Sequence, residues 1–561
     1  MRNHQLMFRG IWPILFFALI IPTAVLFAGA SPTGPNYEVT DQGLQTDDAE
    51  EPSIAVLGNT VYAVWQDERD DGPQDTNGAV YFSKSTDGGQ TWGDDVRVTI
   101  PSYDKWADDP KIAVQPDGTI WIIWFQLYRN NSNKVNDIRL AFSTDDGATF
   151  SNESILVNGF DDDETLWRPD IAADENNLYV LYRYYSCASP CNSSSQEGYT
   201  IALTAIDSGE AERTTTIVSD SLYTGRFTGG LLDNGPKVEL ALGDGLLCAA
   251  WEDSRSQEAI YGACSQDQGQ TFGSDFQISP SRAVNPSLAL GNDGTLFATY
   301  SLENDSQNNI WLTMSEDQGQ SWSTPKQITN QTTLDVEYWD LAVDSTGQLL
   351  LSWVVESGSF SSDLHLSTSI DQGANWATLL IEDGQGQFPA SSDQTHPAIV
   401  TNNVAGESYA YVAWSDDRNS NDQIWFARFL LDGDPPAAPQ NLTADSAAGA
   451  IQLTWQAVGN GSDVIGYHVY RATTAGGPFA RINPLVVEST SYVDPELSAG
   501  SRFYYQVAAI DDVGNVGPRS NTADATAGQN ANGSTYGTIA YQSGDDVRLR
   551  DLASSQETTI A

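Results

Sequence analysis

Five octapeptides in this chain carry residue types that could do chemistry at fixed spacing. Each offers a hydroxyl, a carboxylate two residues later and an aromatic ring at its last position, a set that could act in catalysis or bind a sugar. The copies are STDGGQTW (85–92), STDDGATF (143–150), SQDQGQTF (265–272), SEDQGQSW (315–322) and SIDQGANW (369–376). The elements around them must decide whether they form a site or a repeated structural turn.

The octapeptides belong to a longer repeat, about fifty residues in length, which is the range of β-propeller blades. Each unit contains four short runs rich in Val, Ile, Trp and Tyr, separated by turn signals such as Asn-Gly and Asp-Gly. The units open with PSIAV (52–56), PKIAV (110–114), PDIAA (169–173), PKVELAL (236–242), PSLAL (286–290), WDLAV (339–343) and PAIV (397–400). Four strands per unit predict an all-β fold with one propeller blade for each unit.

The count of units predicts a seven-bladed propeller, with six blades as the alternative. The last unit stops after its third strand, QIWFARF (423–429), and a spare strand, YEVTDQ (37–42), precedes the first unit. We therefore expect the N-terminal strand to complete the seventh blade, because closure removes open sheet edges.

The octapeptide falls between the third and fourth strands of its unit, where a hairpin turn is expected. Its Asp can accept backbone N–H bonds, and its Gly can adopt positive φ. The motif S-x-D-x-G-x-T-W resembles the Asp-box, or bacterial neuraminidase repeat, of sialidase-like propellers, over roughly residues 36–432. The third unit departs from it and keeps only Asp207 and Gly209. The resemblance implies that the Asp-box is a structural turn, built here on Asp87, Asp145, Asp267, Asp317 and Asp371.

Two further segments follow the propeller. Residues 436–527 resemble a fibronectin type III module, with Trp455 and Tyr467 or Tyr470 as expected core aromatics. Phe503 stands where that family usually has a Tyr. Residues 528–561 are predicted to form a linker and the start of a further propeller repeat, or alternatively a frayed tail.

The N-terminus predicts export from the cell. Residues 1–30 combine a basic start, an apolar run and a small-residue site at Ala28–Ala30, which together are typical of a signal peptide. An uncleaved membrane anchor is the alternative. Cysteines in an exported chain predict disulfides, here Cys187 with Cys191 and Cys248 with Cys264. The expected location is extracellular or at the cell surface.

The charge narrows the class of partner. The formal net charge of −49 disfavours nucleic acid and anionic membranes. It suits cations, basic partners or neutral sugars, and a solvated acidic surface is the first explanation of it. The expected partner is a carbohydrate or an extracellular protein. No cofactor is expected. The acidic loops 67–75 and 161–164 could bind calcium, but neither has the spacing of an EF-hand.

Candidate ligand-binding residues lie just before the innermost strands, on the face that carries the mouth of the central channel. Acids alternate there with aromatic residues, a combination that can stack on a sugar ring and bond its hydroxyls. For any single Trp, filling a gap between blades is an equal alternative. The candidates are Glu51, Trp106, Asp108, Asp109, Trp167, Arg168, Arg282, Trp339 and His396.

A second repeated pattern is Trp-x-Asp-x-Arg, which begins at Trp65, Trp251 and Trp414. It ends the second strand of three units. We expect its Asp and Arg to brace a loop rather than to bind a ligand, because the pattern recurs in units with different loop lengths.

The resemblance to sialidases does not extend to their catalytic residues. Active members need three Arg for the substrate carboxylate, a Tyr–Glu nucleophile pair and an acidic Asp, and their first Arg stands in an Arg-Ile-Pro motif. That tripeptide does not occur in this sequence. Arg168, Arg226 and Arg282 could converge, but no local motif links them to the triad. We therefore expect glycan or other extracellular ligand recognition rather than catalysis. A diverged sialidase-like glycoside hydrolase and a surface interaction scaffold are the alternatives.

Overall fold

The computed structural model describes strands, turns and loops and contains no helix among the described residues, hence none that could cross a membrane. It describes residues 30–560 except for 33–34, 41–47, 70–77, 101–104, 131–132, 159–167, 188–196, 208–212, 221–236, 244, 254, 256–257, 303–304, 359–360, 382–391, 419–420, 432–435, 459–463, 484–485, 488, 496, 512–515, 529–537, 544–545 and 552–556.

Seven antiparallel sheets, numbered here in chain order, occupy the described residues before position 432. In each sheet every strand pairs with the next one along the chain. Sheet 1 comprises Ala49–Leu57, Thr60–Asp67, Ala79–Ser85 and Val96–Arg97; sheet 2 comprises Lys105–Val114, Ile120–Asn130, Asn133–Ser143 and Ser154–Asn158; sheet 3 comprises Asp170–Ala173, Asn177–Cys187, Glu197–Asp207 and Arg213–Ile217.

The remaining four sheets follow the same plan. Sheet 4 comprises Val238–Gly243, Leu246–Asp253, Ala259–Ser265 and Phe276–Gln277; sheet 5 comprises Ala283–Leu290, Leu296–Leu302, Trp311–Ser315 and Lys326–Gln327; sheet 6 comprises Val336–Val343, Leu349–Gly358, Ser361–Ser369 and Ala377–Leu380; sheet 7 comprises Gln394–Val404, Glu407–Asp416 and Gln423–Leu431. Two N-terminal strands, Ala30–Pro32 and Tyr37–Glu38, pair with the last strand of sheet 7.

The hydrophobic core lies between the sheets. One buried cluster joins each sheet to the next, from the pair 1 and 2 to the pair 6 and 7, and a further cluster joins sheet 7 to sheet 1. The second strands are apolar along their length because both of their faces are covered by neighbouring sheets. Their indoles, such as Trp65, Trp251 and Trp414, are fully buried. The first strands of neighbouring sheets contact one another, including those of sheets 7 and 1.

The Asp-box turns connect the third and fourth strands and fasten one sheet to its neighbour. Asp87 Oδ1 accepts hydrogen bonds from Ser85 Oγ (2.7 Å) and from Thr91 N (2.9 Å), and its Oδ2 accepts one from Thr91 Oγ1 (2.7 Å). Gly89 adopts a φ of 91° and lies against the ring of Phe426 in sheet 7. The same Asp and Gly arrangement recurs at Asp145, Asp267, Asp317 and Asp371.

One disulfide links the two central strands of sheet 4. Cys248 and Cys264 lie opposite each other in the strand register and are bonded. The second predicted pair ends outside the described residues, because Cys191 falls in the segment 188–196.

The fibronectin type III module consists of two sheets packed face to face. One contains Gln440–Ala447, Ala450–Gln456 and Ser491–Asp494, and the other contains Ala480–Arg481, Val464–Ala472, Arg502–Asp511 and Ala523–Thr526. Trp455 and Tyr467 meet edge to face in its core. Tyr505, two residues beyond Phe503, donates a hydrogen bond to Asp494 Oδ2 at 2.7 Å. A separate three-stranded sheet follows, Thr538–Ser543, Asp546–Asp551 and Glu557–Ile560.

Candidate functional site

A cavity of about 210 Å³ lies where the beginnings of the first strands converge. We call it the channel-mouth cavity. Its lining residues come from the first strands, or the residues next to them, of all seven sheets. The charged members of the lining are the acids Glu51, Asp109, Asp170, Glu239, Glu337 and Asp340, the cations Lys111, Arg168 and Lys237, and His396.

An unusual backbone conformation directs side chains into this cavity. Glu51, Asp109, Arg168, Asn285 and His396 each precede a proline, and each has φ between 49° and 54°. The proline that follows has no N–H group to donate to the neighbouring strand. In four of these sheets the pairing register between the first and second strands shifts beside that proline. Left-handed φ in a non-glycine residue costs about 1–3 kcal/mol, and such strain is often found at functional sites.

Three carboxyl groups meet at the junction of sheets 1 and 2. The backbone N–H of Asp109 donates to Glu51 Oε2 at 2.9 Å and also lies 3.1 Å from Asp108 Oδ1. Burial, followed by the nearby charge of Glu51, raises the pKa values of both Asp108 and Asp109. Arg168, Lys111 and His396 act in the opposite direction on Asp109 and favour its ionised form.

Two cations face these acids without a hydrogen bond of their own. Among the described residues, neither the Arg168 guanidinium nor the Lys111 ammonium makes a hydrogen bond or an ion pair. The charges of Asp109, Glu51 and Glu252 act on Arg168, so its five N–H donors stand amid carboxylates from three sheets. Lys237, in contrast, pairs with Glu239 at 2.7 Å.

Two aspartates of the lining hold neighbouring first strands together. Asp170 in sheet 3 accepts the N–H of Leu240 in sheet 4 at 2.7 Å. Asp340 in sheet 6 accepts the N–H of Ile399 in sheet 7 at 3.0 Å. Their oxygens are engaged by the backbone, so these residues shape the cavity wall rather than offer free acceptors.

Glu252 lies deeper in sheet 4 and is a buried carboxyl. Its Oε1 accepts the N–H of Asn285 at 2.6 Å. Burial raises its pKa to about 7, although Asn285, Arg168 and Arg183 oppose that shift. It therefore carries only part of a charge at neutral pH.

An acidic rim lies beside the cavity, between sheets 7 and 1. Burial and the neighbouring acids raise the pKa values of Glu50 and Asp422 to about 7. Within the residues that the structure describes, no three acidic, histidine or cysteine side chains are placed to hold a metal ion together. The two loops predicted to bind calcium run into segments 70–77 and 159–167, outside the described residues.

The aromatic part of the cavity comes from sheets 6 and 7. The rings of Tyr338 and His396 are in contact, with centroids 4.2 Å apart and planes tilted by 44°, and His396 Nε2 lies 3.9 Å from Glu51 Oε1. Trp339 also lines the cavity, but it is only 6% exposed and packs into the cluster between sheets 5 and 6. Its burial favours the gap-filling alternative for this indole.

The structure brings together five of the nine ligand-binding candidates: Glu51, Asp109, Arg168, Trp339 and His396. Asp108 does not line the cavity, but its carboxyl group accepts from the same Asp109 N–H that donates to Glu51. Trp106 is exposed and Arg282 lies in an exposed turn, and neither lines the cavity. Trp167 lies outside the described residues, as does Arg226, so the structure does not describe three converging arginines.

Sequence reasoning missed the position that directly follows the proline of the unit opening, or that follows Trp339 in sheet 6. That position places Lys111, Asp170 and Asp340 in the cavity wall. The signal was present in the unit openings DPK, RPD and YWD, where a charged residue follows the proline or its Trp counterpart.

The Trp-x-Asp-x-Arg patterns form local braces. Asp67 Oδ2 accepts Trp65 Nε1 at 3.0 Å, Asp67 Oδ1 accepts Arg69 N at 2.8 Å, and Arg69 also pairs with Asp95 at 2.7 Å. The same Trp-to-Asp and Asp-to-Arg bonds recur at Asp253 and Asp416. None of these residues lines the cavity.

The sheets, the Asp-box turns and the two-sheet module define an all-β protein of the sialidase-like repeat class with an attached fibronectin type III domain. A family model described as "BNR repeat-like domain" matches residues 59–351, and the chain belongs to that family. A second model, "Fibronectin type III domain", matches residues 437–526.

The individual proteins that resemble this chain are either distant in sequence or similar to only a part of it. An amylopullulanase of Thermoanaerobacterium thermosulfurigenes is 33% identical over 90 residues, 16% of this chain and 5% of its own length, so the chain spans a small fraction of that relative. The Hadza microbial sialidase Hz136 is 14% identical, with 70% of this chain and 68% of that chain covered and a TM-score of 0.38. An α-L-arabinanase of Penicillium chrysogenum is also 14% identical, with coverages of 71% and 98% and a TM-score of 0.39.

Proposed function

We propose that this protein recognises a carbohydrate in the channel-mouth cavity. The observation that carries the proposal is the cavity itself, where strained residues bring Glu51, Asp109 and Arg168 together from three sheets. Sugar hydroxyls donate to carboxylates and accept from cations, so a lining of both kinds suits a polyhydroxylated ligand. Membership in a sialidase-like repeat family is consistent with a glycan ligand.

We further propose that the seven sheets are the blades of one propeller, closed by the N-terminal strands. The pairing of Tyr37–Glu38 with the last strand of sheet 7 supports this arrangement. The buried cluster shared by sheets 7 and 1 supports it as well. In such a fold the cavity is the mouth of the central channel.

We also propose that the protein acts outside the cytoplasm. The apolar N-terminal run followed by a small-residue site supports export. The disulfide between Cys248 and Cys264 supports an oxidising compartment. N-terminal sequencing of the exported protein tests this proposal, with Ser31 as the expected first residue.

The charge of the cavity favours a neutral glycan over an anionic one. Lys237 is neutralised by Glu239, and Arg168 and Lys111 face Glu51 and Asp109. The six acids of the lining outnumber its three cations, so an anionic ligand would bring a charge that this partly desolvated site does not compensate.

A glycan array probed with the full chain tests the proposal. Arg168→Ala removes the central donor, and we expect it to lower binding to the best glycan by tenfold or more. Arg213→Ala is the matched control, because Arg213 lies on the outer strand of the same sheet and contacts Ile155 instead of the cavity. No binding to any glycan by the folded wild-type chain, or equal binding by Arg168→Ala, would contradict the proposal.

A further inference from the structure

Trp106 is the one aromatic residue that is exposed, among the residues whose side chains the structure describes. It is 38% exposed, whereas the other described Trp, Tyr and Phe side chains are buried or half-buried. A large aromatic side chain forgoes much hydrophobic stabilisation when it stays in contact with water. The gap-filling alternative therefore does not apply to this indole, and its position on the surface needs another explanation.

Trp106 lies on a strand that leads into the channel-mouth cavity. It belongs to Lys105–Val114, the first strand of sheet 2, and the same strand supplies Asp109 and Lys111 to the cavity wall. Trp106 precedes Asp109 by three residues, which at the usual rise of a strand places their Cα atoms about 10 Å apart. The indole is therefore close to the cavity but outside it.

The backbone that carries this indole is held on both sides. The buried side chain of Gln126 donates from Nε2 to the carbonyl of Trp106 at 2.7 Å, and its Oε1 accepts the indole N–H of Trp124 at 3.1 Å. The N–H of the next residue, Ala107, donates to the carbonyl of Gly78 at 3.0 Å. A ligand that stacks on Trp106 therefore meets a fixed backbone and has less of the chain to order than it would on a loop.

The cavity can enclose only part of a larger ligand. Its volume is about 210 Å³, which is below the roughly 300–1,000 Å³ of typical ligand sites. A single sugar ring is shorter than the distance of about 10 Å between Asp109 and Trp106, so only linked sugar units can contact both. A sugar ring has an apolar C–H face that packs on an indole, and hydroxyls that bond to charged groups such as Asp109 and Arg168.

We propose that Trp106 forms an outer subsite of the channel-mouth cavity, so that the protein recognises a chain of linked neutral sugars rather than a single terminal sugar. One unit occupies the cavity beside Asp109 and Arg168, and a later unit stacks on Trp106. This inference rests on the proposed function, because it names the class of carbohydrate that the same cavity takes. Arg168 contributes to binding at every chain length, whereas Trp106 contributes only when the ligand is long enough to reach it.

Calorimetric titration of the full chain with sugars of increasing length tests the outer subsite. The probes are glucose with maltose to maltohexaose, and arabinose with arabinobiose to arabinohexaose. In the wild-type protein, the affinity for a series that binds should rise once the ligand spans both the cavity and Trp106. Trp106→Ala should lose this rise, about threefold to tenfold for the longest sugar, and should keep the wild-type affinity for the shortest sugar that binds.

Two variants serve as controls. Trp106→Phe keeps an aromatic face and should retain most of the rise in affinity with chain length. Ile155→Ala removes an exposed apolar side chain from the outer strand of the same sheet and should bind every sugar as the wild-type protein does. Equal affinities of wild type and Trp106→Ala for the longest sugar, or an equal loss in Trp106→Ala at every length, would overturn the inference.

Fluorescence quenching gives a second readout of the stacking. The longest sugar should reduce the quenching of the wild-type indole emission by acrylamide, and this protection should be absent in Trp106→Ala. Protection of equal size in both proteins would overturn the inference. Circular dichroism of each variant excludes unfolding as the cause.

Arg168→Ala separates this inference from the proposed function. Loss of binding at every length in Arg168→Ala, with no effect of Trp106→Ala, supports recognition in the cavity and overturns the outer subsite. A rise with chain length that depends on Trp106 and persists in Arg168→Ala supports stacking of a sugar on Trp106 and contradicts recognition in the cavity. Binding of neither series would overturn the outer subsite, whereas the glycan array decides the proposed function.

Discussion

The ring of Phe426 in sheet 7 packs directly on Gly89 of the first Asp-box, at the place where a side chain would stand on any other residue. The same contact joins Phe82 of sheet 1 to Gly147 of sheet 2 and Phe276 of sheet 4 to Gly319 of sheet 5. The Asp-box glycine is therefore the point where one sheet closes on its neighbour.

Gly89→Ala should destabilise the protein strongly. The new methyl group collides with Phe426, and the φ of 91° is unfavourable for Ala, so we expect a loss of about 2–4 kcal/mol in the free energy of unfolding. Gly118→Ala is a matched control, because Gly118 has a φ of 90° and nothing within 4 Å of the added carbon. Chemical denaturation measures both, and equal losses would show that the ring contact is unimportant.

Asp145→Asn should lower stability at neutral pH but not in strong acid. Hydrogen bonds from Thr149 and Ser143 lower the pKa of Asp145 to about 2, below its ordinary 3.8. The stabilisation by the carboxylate is therefore complete above about pH 4 and is lost as the pH falls through 2. Thermal unfolding curves of wild type and variant should differ at pH 6 and converge near pH 2. A difference that stays constant across this range would exclude the carboxylate as its source.

Glu252→Gln should stabilise the protein at alkaline pH. Burial raises the pKa of Glu252 from 4.5 to about 7, so the wild-type protein loses stability as the pH rises between these values and the carboxyl ionises. The amide keeps an acceptor for Asn285 N and carries no charge. The variant should be more stable than wild type at pH 8 and similar to it near pH 4.5. Lower stability of the variant at pH 8 would show that the charge is favourable beside Arg168.

The Asp67→Ala variant should be less stable than the wild-type protein, because sheet 1 loses a brace, but its ligand binding should not change directly. Asp67 is fully buried and accepts hydrogen bonds from Trp65 Nε1 and Arg69, so its removal leaves a buried indole donor unpaired and Asp95 as the remaining carboxylate partner of Arg69, at a cost of about 1–3 kcal/mol. Asp253→Ala should behave in the same way in sheet 4. Denaturation and glycan titration on the same samples check both statements. Loss of glycan binding in the fully folded variant would assign the brace a role in recognition.

The repeat of about fifty residues in the sequence was sufficient to predict the strands and turns of the fold. Alternating apolar residues, turn dipeptides and the octapeptides depend on local rules, so the sheet strands and the positions of the Asp-box turns follow from them. The pairing of the N-terminal segment with the last strand of sheet 7 was expected because an open edge is unfavourable. The fibronectin type III module followed from its own local pattern.

The composition of the candidate site depended on tertiary structure. The sequence identified Glu51, Asp109 and Arg168 by their place before the innermost strands. By the same criterion it also identified Trp106 and Arg282 as ligand-binding candidates. Only the convergence of first strands from different sheets separates the cavity wall from the exposed turns. Sequence order alone also gave no indication that one backbone N–H reaches both Glu51 and Asp108, because the hydrogen bond from Asp109 N to Glu51 joins residues 58 positions apart, at a point where Asp109 adopts a left-handed φ.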